Sequence, residues 1–183
     1  MIEIQHLSVK LGDKQIFQDL NVDLTDEGIV LVSGESGIGK TTLLRVLCGL
    51  QKPDQGVVAG LTGRRISVVF QEPRLLEHLS ALANVSIVSD KTTADRLLKQ
   101  LNLTNERRLK AGSLSGGQKQ RVSVARAFAF SNDVVLLDEP FTGLDEQNKE
   151  RVADLINSAR LAVVVTHEPS DAALLNIDRK ISL

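Results

Sequence analysis

The run Gly34-Glu35-Ser36-Gly37-Ile38-Gly39-Lys40-Thr41, with Thr42 behind it, has the spacing G-x-x-x-x-G-K-[ST]. Glycines let a backbone wrap tightly and aim its N–H groups at a phosphate, at the positive end of the helix that follows. Lys40 is long enough to reach the β- and γ-phosphates of a nucleotide, and the Thr41 hydroxyl suits Mg²⁺. A fortuitous turn and helix cap is the bland alternative. A second cluster closes the apolar run Val134-Val135-Leu136-Leu137 with Asp138 and Glu139. Alternate strand residues face opposite sides, so these carboxylates share one spot only if the chain bends at the strand end. They divide naturally into a Mg²⁺-shell ligand, Asp138, and a group that orients or deprotonates an attacking water, Glu139. A third cluster is Leu114-Ser115-Gly116-Gly117-Gln118. Ser115 suits a helix N-cap, and the glycines permit close approach of an anion. One small domain has little use for two phosphate-facing helix starts on one nucleotide, which points to ATP shared with another copy.

These groups need strands and helices to hold them, and the pattern supplies both. Ile2 to Val9 alternates in period two, Gly12-Asp13-Lys14 reads as a turn, and Ile16 to Leu24 alternates again, an antiparallel start. Continuous apolar runs at Ile29–Val32, Ile66–Phe70, Val134–Leu137 and Leu161–Val165 suit strands buried on both faces. Between them, Leu97, Leu98 and Leu101, then Val122, Ala125, Arg126 and Ala129, then Val152, Leu155 and Ile156 recur at helical spacing. Strands alternating with helices predict an α/β fold with a largely parallel sheet. Glu72 to Leu114 carries no strand pattern and reads as an inserted helical lobe, which with the next helix occupies about residues 72–130 of a single 1–183 domain.

Composition removes several function classes. Twenty-two basic residues against 23 acidic leave a net charge of −1, no field for a nucleic-acid backbone. No apolar run nears the roughly 18–20 residues that cross a bilayer. The start, Met1-Ile2-Glu3-Ile4, lacks the pattern of a secretion signal, so the chain is expected inside the cell. The single cysteine, Cys48, allows neither an internal disulfide nor a cysteine-built metal site.

The Leu114–Gln118 pentapeptide, beside the phosphate loop and the acidic strand end, resembles the signature of the ATP-binding-cassette (ABC) ATPases, the nucleotide-binding subunits of ABC transporters. The likeness extends over nearly the whole chain. It implies a P-loop NTPase with a largely parallel core sheet, an N-terminal antiparallel β subdomain and a short inserted helical lobe. By the same resemblance, Gln71 is the glutamine that contacts Mg²⁺ or the attacking water and senses the membrane subunit. Gly143-Leu144-Asp145 is the loop whose aspartate crosses the dimer interface, and His167 is the histidine that contacts the γ-phosphate. Two subunits then pair head to tail and sandwich two ATP molecules. Each ATP lies between one subunit's phosphate loop, Asp138, Glu139, Gln71 and His167 and the other's Ser115, Gly117 and Gln118. The implied function is ATP hydrolysis powering a membrane transporter from the cytoplasmic face of a bacterial inner membrane. The partners would be an identical or paired cassette, an integral membrane subunit and, for an importer, a substrate-binding protein.

Departures matter too. Where the family places an adenine-stacking aromatic before the first-turn glycine, this chain has Leu11, and it holds no Trp or Tyr. Leucine offers apolar contact without a π-face, so selectivity for adenine over guanine is expected to be weak. Phe17 is the alternative base contact, with core packing its expected role. The Gln51–Ile66 link is compressed, the helical lobe trimmed, and, with Leu161–Val165 the last expected strand, no fused regulatory domain is expected after it. Val69-Phe70-Gln71-Glu72-Pro73-Arg74-Leu75-Leu76 is similar to the importer cassettes of the nitrate, sulfonate and taurine group, where this segment lies near the membrane subunit's docking helix. From another class, a soluble ABC ATPase that remodels a protein partner would share every motif.

Overall fold

The computed structural model describes residues 1–183. Its N-terminal strands β1 (Ile2–Leu11) and β2 (Lys14–Leu24) form a hairpin, and β4 (Gln55–Ala59) joins β1 to complete an antiparallel sheet in the order β2-β1-β4. The second sheet holds β3 (Gly28–Ser33), β5 (Ile66–Val69), β6 (Val134–Asp138), β7 (Leu161–Val165) and β8 (Ile177–Ser182). It runs in the order β5-β6-β7-β3-β8 with every neighbouring pair parallel. The helices are α1 (Lys40–Leu47), α2 (Ala81–Ser86), α3 (Lys91–Gln100), α4 (Gly116–Phe130), α5 (Glu146–Asn157) and the short α6 (Pro169–Ala172).

Three of the four runs expected to be buried strands, in β3, β6 and β7, are buried because both faces of the parallel sheet are covered. The fourth, β5, is an edge strand that ends at Val69, with only Ser67 and Val69 buried. Val30, Val32, Leu136, Val163 and Val165 join one apolar cluster with Leu43, Leu44 and Leu47 of α1 and with Ile4, Leu7, Val9 and Phe17 of the hairpin. Ile29, Val69, Val135, Leu137, Ala162 and Val164 join the other, with Leu97 and Leu98 of α3, Val122 and Val124 of α4, and Val152 and Ile156 of α5. Helix α1 is thus clamped between two sheets. The helical segment after β5 shares its core with one sheet face, and α4 is packed from several sides, with Gln120 to Ala125 all buried.

Two strands escaped the sequence reading. β4 lies at an edge, and none of its residues is fully buried, so its side chains show no alternation. β8 is the polar edge strand Ile-Asp-Arg-Lys-Ile-Ser, with only Ile181 buried. Its presence corrects the expectation that Leu161–Val165 is the last strand. Edge strands carry this composition because one side of their ladder faces solvent.

Candidate active site

Among helices of eight residues or more, α3, α4 and α5 are capped by the side chains of Asp90, Ser115 and Asp145, whereas α1 has Gly39 as N-cap and no side-chain cap bond. The first N–H groups of α1 therefore need acceptors from elsewhere, and the helix end carries positive partial charge. Gly39 has φ +122°, and a Cβ there would lie 2.7 Å from atoms of Ile16 and Phe17. Glycine is required both for the turn and for packing α1 under the hairpin. The Lys40 ammonium donates to the carbonyls of Gly34 (2.8 Å) and Glu35 (2.9 Å), which folds the side chain back along the loop it follows.

A cavity of about 800 Å³ opens here. The loop residues Gly34, Glu35, Ser36, Gly37, Gly39, Lys40, Thr41 and Thr42 line it, as do Gln71, Asp138, Glu139 and His167 and, from the hairpin, Leu11. The last four polar residues come from the C-terminal ends of β5, β6 and β7, which parallel pairing brings to one edge of the sheet. The Thr41 hydroxyl donates to Asp138 Oδ2 at 2.6 Å, and the Asp138 side chain is buried. Glu139 adopts φ +50°, a left-handed conformation that costs a non-glycine residue about 1–3 kcal/mol. That turn is the bend the two carboxylates require: it brings the second round to the cavity that the first already faces. The bend is held by Glu139 N–H donating to the Val165 carbonyl (2.9 Å) and by buried Gln120 Nε2 donating to the Glu139 carbonyl (3.3 Å). His167 Nδ1 sits 2.8 Å from Glu139 Oε1. This hydrogen bond and the carboxylate's charge raise the histidine's pKa above 6.5.

Other expected site residues lie elsewhere. Ile38 is exposed and borders an adjacent apolar groove with Ile16, Phe17 and Leu183. Ser115, Gly117, Gln118 and Asp145 do not line the cavity. Ser115 and Gln118 form a reciprocal capping box: Gln118 N–H donates to Ser115 Oγ (3.3 Å) and Ser115 N–H to Gln118 Oε1 (2.9 Å). The Ser115 hydroxyl proton stays free, while Gln118 Nε2 donates to Glu106 at 3.3 Å. A Cβ on Gly117 would lie 2.5 Å from the Gly143 carbonyl, so this glycine serves contact with the Asp145 loop. Asp145 is exposed and accepts the Asn148 N–H and side-chain amide, which hold its carboxyl below the usual range. The sequence reading missed Lys14, Ile16 and Val165 as cavity residues and Gln120 as the support of Glu139. Strand periodicity could have found Ile16; nothing local marks the others.

Fold and site together define a P-loop nucleotide-binding domain whose phosphate loop, acidic strand end and histidine converge, with a second glycine turn set apart from them. The family model described as "ABC transporter" matches residues 17–142. The chain belongs to this family, as the Leu114–Gln118 pentapeptide implied. It is 39% identical over 184 residues to the aliphatic sulfonates import ATP-binding protein SsuB 3 of Rhodococcus jostii, covering 95% of this chain and 68% of that protein. The SsuB protein of Zymomonas mobilis is 37% identical over 196 residues, covering 100% and 81%. Among solved structures, the dimeric post-hydrolysis state of the ATP-binding cassette MJ0796 bound to ADP and Pi superposes with a TM-score of 0.86 at 28% identity, covering 100% of this chain and 94% of that one.

Proposed function

We propose that the chain hydrolyses ATP as the nucleotide-binding subunit of a membrane importer, in the aliphatic sulfonate, nitrate and taurine group, and that two cassettes pair head to tail to do so. The observation that carries the reading is the convergence of an uncapped helix N-terminus, Lys40, Asp138, Glu139 and His167 on one cavity. The names of the sulfonate-importer relatives and the dimeric cassette structure support transport and pairing. In this reading Gly34 to Thr42 cradle the phosphates through backbone N–H groups and Lys40, and Leu11 faces the base. Glu139 orients or deprotonates the attacking water, and His167 holds Glu139 and reaches toward the γ-phosphate. Ser115, Gly117, Gln118 and Asp145 serve a nucleotide bound to the other subunit, which accounts for their distance from this chain's own cavity.

The Thr41 hydroxyl, the Asp138 carboxylate and the Gln71 amide fit Mg²⁺, a hard cation held by few protein oxygens and by nucleotide phosphates. No cluster of three His, Cys, Asp or Glu side chains competes for it. When bound, the ion neutralises charge on the phosphates. No helix is long and apolar enough to cross a membrane. Attachment at the cytoplasmic face would come through an integral subunit, and the exposed segment from Gln71 to Leu76 is proposed to meet it, with a substrate-binding protein on the far side.

The test is Mg-ATP turnover of the purified chain across protein concentrations, with Glu139→Gln as control, and co-purification with an integral membrane protein. Turnover that rises faster than linearly, is absent in E139Q and travels with a membrane protein supports the reading. Strictly linear turnover with only soluble proteins attached favours a soluble remodelling ATPase.

A further inference from the structure

Arg121, in the second turn of α4, is only 7% exposed, yet it pairs directly with no carboxylate. Its Nη1 shares its N–H groups among the carbonyls of Leu101 (2.8 Å) and Asn102 (3.1 Å) and the Asn148 Oδ1 (2.9 Å). Its Nε points to the Gly117 carbonyl at 3.4 Å. The Leu101 and Asn102 carbonyls end α3, where the helix gathers negative partial charge, and Asn102 turns left-handed (φ +55°) at that end. Asn148 carries the contact onward, because its Nδ2 donates to Asp145 Oδ2 at 2.9 Å. One buried guanidinium therefore touches the end of α3, the signature turn and the cap partner of Asp145. Burial pulls its pKa down, opposed first by Asp145 and then by Glu106.

We propose that Arg121 is a positioning residue that locks the Ser115–Gln118 turn and the Asp145 loop into one face, so that both move with α3 as a unit when a second subunit docks. This rests on the shared-nucleotide reading above, in which that turn and that loop meet the partner together. The chemistry calls for arginine, because Nη1 serves Leu101, Asn102 and Asn148 while Nε of the same rigid plane reaches the Gly117 carbonyl, whereas a lysine head group is a single point that serves one of these two places. The contact between Gly117 and Gly143 aligns the same two segments from the backbone side. Further along α5, Lys149 Nζ lies 2.7 Å from Asp171 Oδ1 in α6, so the helix that starts at Asp145 is also tied to the segment after His167.

Two substitutions in a Glu139→Gln background test the role: Arg121→Lys and Asn148→Ala. The second keeps the Asn148 backbone N–H that caps α5 and deletes only the bridge between Arg121 and Asp145. ATP affinity is measured on the monomer at low protein concentration, and ATP-driven dimerisation by sizing across concentrations. Both variants are expected to bind ATP within about twofold of the parent, since neither residue lines the cavity, and to need at least about tenfold more protein to dimerise, equivalent to about 1.4 kcal/mol. Unchanged dimerisation in Asn148→Ala overturns the positioning role. A parallel loss of ATP affinity also overturns it, because it would mark a general structural defect. If the Glu139→Gln parent itself stays monomeric with ATP, the shared-nucleotide reading falls first and this inference with it.

Discussion

The imidazole of His167 is held between two carboxylates, with Nδ1 2.8 Å from Glu139 Oε1 and Nε2 3.1 Å from Glu168 Oε1. The ring is mostly exposed, whereas the Glu139 side chain is largely covered. The hydrogen bond to Glu139, then its charge, then that of Glu168 favour the protonated ring. The folded-state pKa thus lies above 6.5, and the pair's stabilising contribution is complete below that pH and lost as pH rises through the folded value. Of the three histidine resonances in an NMR titration, that of His167 is expected to have a midpoint above 6.5 and to fall on Glu139→Gln substitution. A wild-type midpoint at or below 6.5 would show that the ion pair does not form in solution. Because the ring is exposed, salt should weaken the effect.

Replacing Glu139 by Gln is expected to lower turnover by about 10²–10⁴-fold, the range for a lost general base, with ATP affinity largely retained. Replacing Asp138 by Asn should behave differently, raising the Mg²⁺ concentration needed for half-maximal turnover by removing the charged oxygen that Thr41 now contacts. Titrating turnover against Mg²⁺ in both variants separates the roles. An identical Mg²⁺ midpoint in Asp138→Asn and wild type would remove Asp138 from the ion's shell.

In the proposed reading the base meets an aliphatic and cationic wall. Leu11 is 40% exposed, beside Lys14 and Ile16, while Phe17 is buried under the phosphate loop and unavailable for stacking. GTP should compete with ATP within about tenfold, and Leu11→Tyr should tighten ATP binding by about two- to tenfold, the value of one aromatic contact. A strong ATP preference in the wild type would mean that Leu11 suffices.

Neighbouring glycines in the signature turn should behave oppositely. A Cβ on Gly117 collides with the Gly143 carbonyl, so Gly117→Ala should lower stability by about 1–3 kcal/mol in urea melts. A Cβ on Gly116 meets nothing within 4 Å. Gly116→Ala should therefore leave the monomer's melt unchanged or slightly stabilised while impeding ATP-driven pairing of the Glu139→Gln protein. Normal pairing in Gly116→Ala would argue that this turn does not face a partner's nucleotide.

Leu98 of α3 is fully buried in the cluster that also holds Val135, Leu137 and Val164 of the sheet. Leu98→Ala should cost about 2–5 kcal/mol and shift a single cooperative transition, because no separate core exists for the helical segment to melt alone. A biphasic melt would show instead that residues 72–130 fold as an independent unit.

What could be read from the linear chain was whatever local spacing dictates. The phosphate loop, the acidic strand end and the signature pentapeptide are contiguous, so their chemistry shows in order and residue type. The parallel sheet shows equally well, since burial on both faces forces uninterrupted runs such as Val134–Leu137 and Leu161–Val165. Edge strands β4 and β8 were hidden because an exposed ladder imposes no apolar period. Tertiary structure alone decided three matters. It turned Glu139 left-handed so that adjacent carboxylates meet at one cavity, a bend supported by Val165 and Gln120 from other elements. It brought Lys14, Ile16 and Val165 to the cavity wall. And it joined Arg121, Asn148 and Asp145 into one bonded chain, a relation between side chains that no spacing along the sequence encodes.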